Sequence, residues 1–312
     1  MQNESQIESS DFILLGFTVL PELQFTVFFL FLLIYLLTLT GNLLIIICVF
    51  LDRLLQKPMY FFLQSLSLLD ISYSTVIQPK FLSILQTGNG IISFVNCITQ
   101  LYFFMSLTCT EFILLTAMAY DRFVAICNPL HYPLIMNKKA CFLIVTFCWV
   151  AGFLDPLAHT IAISQLPFCM AHLIDHFYCD YSVLLKLSCV KTMLIEVMSL
   201  LFGSIVGFST FSLTLISYIY IFSTIWKIPS AGGRHKTFST CVSHLTVVIL
   251  FYGTVLIMYM RPTSQYSSSI GKSFSLLYTI LIPICNPLIY TLRNKDVKTS
   301  LQKQIKMICK LF

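Results

Sequence analysis

Asp70 and Glu111 are carboxylates set inside long apolar runs, and Asp121-Arg122 is an acid–base pair that follows the uncharged run from Phe112 to Ala119. A carboxylate surrounded by hydrocarbon is costly and is kept by a proton, a cation or hydrogen-bond donors. Two such acids either share a proton or bind a cation between them. Asp121 and Arg122 can hold each other in a closed pair, and protonating the acid or turning the helix would free the guanidinium. The plainer reading is a pair of charges snorkelling at a membrane edge. His159, His244 and the serines form no recognisable nucleophile–base set, and His172, His176 and their neighbouring cysteines match no compact zinc knuckle. No catalytic residue is assigned, and the chain is not read as an enzyme.

These groups must be positioned by membrane helices. Of 312 residues 57% are apolar and only 10% charged, more apolar surface than a water-soluble chain could hide. Seven stretches can each cross about 30 Å of hydrocarbon, which takes roughly 20 helical residues. They lie near 23–50, 58–85, 94–127, 140–163, 194–226, 236–260 and 268–292. The expected fold is an all-α membrane protein, a seven-transmembrane helix bundle. Residues 1–22 are polar, lack the basic start of a cleavable signal peptide, and read as an extracellular tail. Residues 293–312 carry Val297, Leu301, Ile305 and Ile308 on one helical face and Lys295, Lys298, Lys303 and Lys306 on the other. That pattern predicts a short amphipathic cytoplasmic helix lying on membrane lipid.

Orientation follows from the basic residues. With the N-terminus outside, the inner segments hold Arg53, Lys57, Arg122, Lys138, Lys139, Lys227, Arg234, Lys236, Arg293, Lys295, Lys298, Lys303, Lys306 and Lys310. The outer ones hold Lys80, Lys186, Lys191, Arg261 and Lys272. That bias sets the topology, so the net charge of +6 is no sign of nucleic-acid binding. Asn3, in Asn3-Glu4-Ser5, is then a glycosylation acceptor on the outer side. Cys97, Cys169, Cys179 and Cys189 face the oxidising compartment and allow three pairings. Cys309, beside the basic helix, is a palmitoylation candidate.

Several strings carry a resemblance. Met118-Ala119-Tyr120-Asp121-Arg122-Phe123-Val124-Ala125-Ile126-Cys127-Asn128-Pro129-Leu130-His131-Tyr132 closely resembles the third-span signature of the olfactory receptors, with Phe123 where the family usually has Tyr. Pro58-Met59-Tyr60-Phe61-Phe62-Leu63 resembles the family's second-span opening, though Gln56 and Lys57 replace its His and Thr. Lys236-Thr237-Phe238-Ser239-Thr240-Cys241-Val242-Ser243-His244-Leu245 is similar to a sixth-span motif largely peculiar to these receptors, with Thr237 for Ala. Pro283-Ile284-Cys285-Asn286-Pro287-Leu288-Ile289-Tyr290 resembles their seventh-span switch. The resemblance covers nearly the whole chain. It points to rhodopsin-like G-protein-coupled receptors, and within them to the tetrapod-type (class II) olfactory branch.

The resemblance implies much more. It pairs Cys97 with Cys179 and Cys169 with Cys189 beneath a long extracellular lid. It places Asp70, Glu111 and Asn286 around a sodium ion, the one cofactor implied. It puts an outer cavity among Phe104, Met105, Thr108, Cys109 and Phe112 of the third span and Phe202, Gly203, Val206 and Gly207 of the fifth. Tyr252, Val255, Leu256 and Tyr259 of the sixth span and Leu276 and Thr279 of the seventh complete it. Such a mostly apolar wall suits a small, neutral, volatile odorant. A cytosolic cleft with Asp121, Arg122, Tyr218, Lys236, His244, Asn286, Pro287 and Tyr290 would take a stimulatory olfactory G protein and raise cyclic AMP. The location implied is the plasma membrane of olfactory cilia. Phe123 removes a hydroxyl beside Arg122, so basal activity is expected to depart from the family norm.

Three alternatives fit the residues less well. A receptor of the same fold for a peptide or amine would want an Asp where Phe104 or Met105 stands, and an opsin would need a lysine between Leu276 and Ile289. A secondary transporter would show repeated halves, and none is visible.

Overall fold

In a computed structural model, residues 11–17, 21–168, 172–259, 268–293 and 295–308 are described. Asn3, Cys169 and Cys309 lie outside them, as do the side chains of Lys236, Leu256 and Tyr259. Strand β1 is Phe12–Leu14, followed by helices α1 (Pro21–Leu51) and α2 (Pro58–Thr87), strand β2 (Ile91–Ile92) and helix α3 (Phe94–Cys127). Next come α4 (Tyr132–Ile135), α5 (Lys138–Leu154), α6 (Leu157–Ser164), β3 (Leu173–Ile174) and α7 (Tyr181–Leu187). The chain closes with α8 (Met193–Trp226), α9 (Ala231–Tyr259), α10 (Ser268–Leu276), α11 (Ile282–Arg293) and α12 (Lys295–Ile308).

Among the described residues six segments are long and apolar enough to cross a membrane. α2 has the length but carries a buried polar face of Ser65, Ser67, Asp70, Ser74 and Gln78, which it turns into the interior between α1 and α3. Outward-facing Phe25, Phe50, Phe147, Leu194 and Ile205 form the complementary apolar belt that hydrocarbon covers.

α3 is the axis of the bundle. It contacts α2, α5, α6, α8 and α9, and it is the most enclosed of the long apolar helices. Its sequence has neither Gly nor Pro, and Ser93 caps it by accepting the Asn96 amide at 3.3 Å. Thr110 of α3 sits where a Cβ on Gly152 would have to go, so α3 and α5 meet at backbone distance.

The fourth span does not run unbroken from 140 to 163 as a single helix. α5 stops at Leu154 and α6 resumes at Leu157, because Pro156 lacks the N–H that would continue the ladder. The seventh span is also interrupted, by a π-helical turn from Leu277 to Leu281 between α10 and α11. α12 buries Val297 and Ser300 against the bundle and exposes Lys298 and Lys303.

The outer end is closed by a small sheet in the order β2-β1-β3. β1 runs antiparallel to β2, pairing Phe12 with Ile92, and parallel to β3, pairing Ile13 with Leu173. The N-terminal segment is thereby stitched to the long loop after α6. Gly90 lies so close to the Leu14 carbonyl that no side chain fits there.

Candidate functional site

The loop from Leu173 to Ser188 acts as a lid over the outer bundle. A Cys97–Cys179 disulfide ties it to the start of α3, as the resemblance implies. Cys189 is also disulfide-bonded, while its expected partner Cys169 lies outside the described residues. Lys272 in the middle of α10 pairs with Asp175 and donates to the Gly16 carbonyl at 2.8 Å, clamping lid, tail and seventh span together.

Beneath this clamp the lid inserts side chains. His176 is wholly buried, and that burial pushes its imidazole down to about 3, so it is neutral. Asp180 caps α7 by accepting the Ser182 amide at 2.9 Å, and burial raises its pKa against those hydrogen bonds. Tyr178 sends its ring onto Phe104, with centroids 4.9 Å apart, and its hydroxyl to Tyr278 at 2.6 Å.

Four of the expected cavity residues fall into two groups. Phe104 and Thr108 form an upper group with Tyr73 of α2: the Thr108 and Tyr73 hydroxyls are 3.2 Å apart, and the Phe104 and Tyr73 rings 5.5 Å. Phe112 and Tyr252 form a lower group, rings 4.9 Å apart, with Phe251 and Phe211 beside them. There the Tyr252 hydroxyl lies 3.5 Å from Thr116, whose oxygen lies 3.2 Å from Thr214 of α8. Cys109, Val255 and Thr279 are buried, and Met105 and Leu276 half-buried.

Of the fifth-span residues, Val206 is half-buried and packs against the core that holds Phe104, Phe112 and Tyr252. Phe202 is 46% exposed and contacts His159 edge-on. Gly207 is buried, yet no atom lies within 4 Å of where its Cβ would be, which leaves room beside α8. Tyr73, Thr116, His159, Tyr178 and Tyr278 were not among the expected cavity residues. His159 is buried with neither ring nitrogen hydrogen-bonded. The signal for Thr116 was available, since it continues the i, i+4 stripe of Phe104, Thr108 and Phe112 by one more turn.

Deeper in the bundle, Asp70 and Asn286 meet. The Asn286 Nδ2 donates to both Asp70 oxygens at 3.1 Å. Asn286 Oδ1 and Glu111 Oε1 are buried with no hydrogen-bond partner. Asn42 donates to the Pro283 carbonyl at 3.1 Å, and Gly41 packs on Pro287, which holds α1 against α11 at its internal proline.

At the inner end the expected closed Asp121–Arg122 pair is not formed. Asp121 instead accepts the Tyr132 hydroxyl at 2.9 Å. Burial, reinforced by the Asp121 charge, raises the Tyr132 pKa, so the phenol keeps its proton and donates. Arg122 is buried. Tyr218 and His244 are brought together, hydroxyl to Nδ1 at 2.6 Å, locking α8 to α9. Tyr290 is buried with an unpartnered hydroxyl, and Phe123 packs against Tyr220 of α8.

Comparison with known proteins agrees with this architecture. A family model described as olfactory receptor matches residues 31–310. Mouse olfactory receptor 5AP2 is 48% identical over 303 residues, covering 97% of this chain and 96% of the relative. Human olfactory receptor 6C3 is 45% identical over 299 residues, covering 96% of each, and human olfactory receptor 2AP1 is 44% identical over 311 residues, covering both in full. The chain belongs to the olfactory receptor family, and is a seven-helix, multi-pass membrane receptor and not an enzyme.

Proposed function

We propose that the chain is an odorant receptor that binds a small, mostly apolar volatile molecule beneath the lid and activates a stimulatory olfactory G protein, raising cyclic AMP. The observation that carries this is the lower aromatic group. Phe112, Phe211, Phe251 and Tyr252 converge around the hydroxyls of Tyr252, Thr116 and Thr214, and no charged residue is among them. Such a wall binds by area burial and one or two hydrogen bonds, and has nothing to neutralise an ammonium. Tyr252 lies on α9, the helix whose inner half is held to α8 by Tyr218 and His244. A ligand that shifts Tyr252 thus acts on the element that would have to move for a G-protein tail to reach Arg122. The mechanism is a population shift from the locked state to an open one.

Asp70, Glu111 and Asn286 fit a bound sodium ion in the resting state. The unpartnered oxygens of Glu111 and Asn286, with the Asp70 carboxylate beside Asn286, are hard ligands of the kind such an ion takes, and a shared proton is the alternative occupant. The N-terminal tail is read as extracellular, with glycosylation at Asn3, and the receptor as resident in the plasma membrane of sensory cilia.

Responses of the wild type, Tyr252→Phe and Thr116→Val to a broad volatile panel in a cyclic AMP assay test the binding site. Loss of one ligand hydrogen bond is expected to raise the half-maximal odorant concentration about tenfold. Unchanged dose–response curves in both variants would move the site elsewhere.

A further inference from the structure

The outer ends of α2 and α3 leave a hollow of about 380 Å³ on the bundle's outer face, with Lys80, Ser93, Asn96 and Thr99 on its wall. A second hollow of about 290 Å³ shares Val76 and Phe103 with the first and is walled by Thr75, Leu107, Trp149 and Phe153. Together they form one groove between α2, α3 and α5, polar and cationic at the top and aromatic below.

Lys80 is the unusual member. Its ammonium donates to the Ile91 carbonyl at 2.6 Å and, loosely, to that of Asn89 at 3.5 Å. Three hydrogens on the ammonium leave one unspent, and among the described residues no carboxylate lies within 4.0 Å of it. The depth is also informative. α2 ends at Thr87, seven residues beyond Lys80, so the Lys80 backbone sits about 10 Å below the helix end and its side chain reaches up to the carbonyls of the connecting loop, at headgroup level. Thr75, five residues further in, is about 7.5 Å deeper, at the level of acyl chains.

We propose that this groove is a binding site for a glycerophospholipid of the outer leaflet. Its phosphate sits on Lys80, with the Asn96 and Thr99 side chains at the rim, and one acyl chain lies along Phe103, Leu107, Trp149 and Phe153. The vertical order of cation and apolar wall matches the order of charge and hydrocarbon in a phospholipid. Because the groove opens outward from a membrane bundle, lipid is the molecule that meets it. A lipid seated there would brace α2 against α3 beside Cys97, the anchor of the lid.

Trp149 is a built-in reporter, since the chain's other tryptophan, Trp226, lies exposed at the inner end of α8. The full chain carrying Trp226→Phe is purified in detergent and titrated with phosphatidylglycerol brominated on one acyl chain, which quenches a nearby indole. The expected result is saturable quenching whose half-point rises about tenfold in Lys80→Gln, the cost of one charge-assisted contact, and is restored in Lys80→Arg. Brominated diacylglycerol, with the same chains and no phosphate, should quench weakly and show no dependence on residue 80. Equal quenching by both lipids, or identical half-points in wild type and Lys80→Gln, would reduce the groove to ordinary annular lipid and overturn the proposal. A Lys80-dependent rise in melting temperature with inorganic phosphate, without quenching by the phospholipid, would assign the site to a free anion and overturn it as well.

Discussion

The Tyr178 hydroxyl of the lid lies 2.6 Å from that of Tyr278, on the π-helical turn of the seventh span. The pair joins a network in which Ser275 lies 3.3 Å from both Tyr178 and His176, and Tyr178 donates to Asp180 at 3.3 Å. The lid is thus hydrogen-bonded to the same helix that carries Asn286 and Pro287 further in. Removing either hydroxyl strands a buried partner, so Tyr178→Phe or Tyr278→Phe should each cost about 1–2 kcal/mol. The double variant should cost less than the sum, with a coupling of about 0.5–1.5 kcal/mol in thermal unfolding. Strict additivity would mean that the contact carries no energy.

His176 makes the lid sensitive to acid. Burial holds its pKa at about 3 in the folded chain against 6.5 when unfolded, so the unfolded state takes up the proton first. A depressed folded pKa means that the contribution is fully present above pH 6.5 and is lost as pH falls toward 3. The slope approaches about 1.4 kcal/mol per pH unit within that window. Asp180, whose pKa burial raises, works in the opposite sense, since its penalty is relieved as pH falls. Melting temperature between pH 7 and pH 4.5 should therefore drop in the wild type and drop less in His176→Phe. Parallel curves would show that His176 is not the group responsible.

Much of this architecture was legible because membrane helices advertise themselves. Long uncharged runs and basic inner loops are one-dimensional signals, and the Cys97–Cys179 bridge follows from family resemblance. The cavity was harder to read. An i, i+4 stripe reports that Phe104, Thr108 and Phe112 share a face of α3, but not what faces them. Phe104 and Thr108 turn out to meet Tyr73 and the lid, whereas Phe112 meets α9. Tyr178 is separated from Tyr278 by 100 residues, and no local period encodes such a contact. The pairing of Phe12 with Ile92 escaped for the same reason: three residues of strand in a polar tail carry too little pattern. Pro156 did announce the break in the fourth span, but a hydropathy run reads straight through a proline.

Close packing of α3 on α5 yields a sharper test. A side chain at Gly152 would overlap Thr110, backbone included, so Gly152→Val must push two spans apart. Overpacking of this kind costs about 1–3 kcal/mol, enough to cut surface expression severalfold. Gly203→Ala, where the added methyl meets no atom within 4 Å, should express normally. Similar expression of both variants by surface labelling would contradict the close approach.

If Asp70, Glu111 and Asn286 hold sodium, the resting receptor should melt higher in sodium chloride than in choline chloride at equal ionic strength. A gain of about 2.7 kcal/mol is expected at a hundredfold excess over the dissociation constant. Asp70→Asn should abolish the difference without affecting the Tyr218–His244 contact. A sodium effect that persists in Asp70→Asn would place the ion elsewhere, and its absence in the wild type would favour a shared proton.

On the proposed mechanism, a ligand beneath the lid releases the inner lock so that Arg122 can engage a G protein. The most direct measurement is cyclic AMP in cells carrying this chain and the olfactory G protein, exposed to a broad odorant panel, with Arg122→Ala at matched surface expression alongside. A response to at least one volatile that disappears in Arg122→Ala is the predicted result. A response that survives in the variant would contradict the role given to Arg122 and the mechanism built on it.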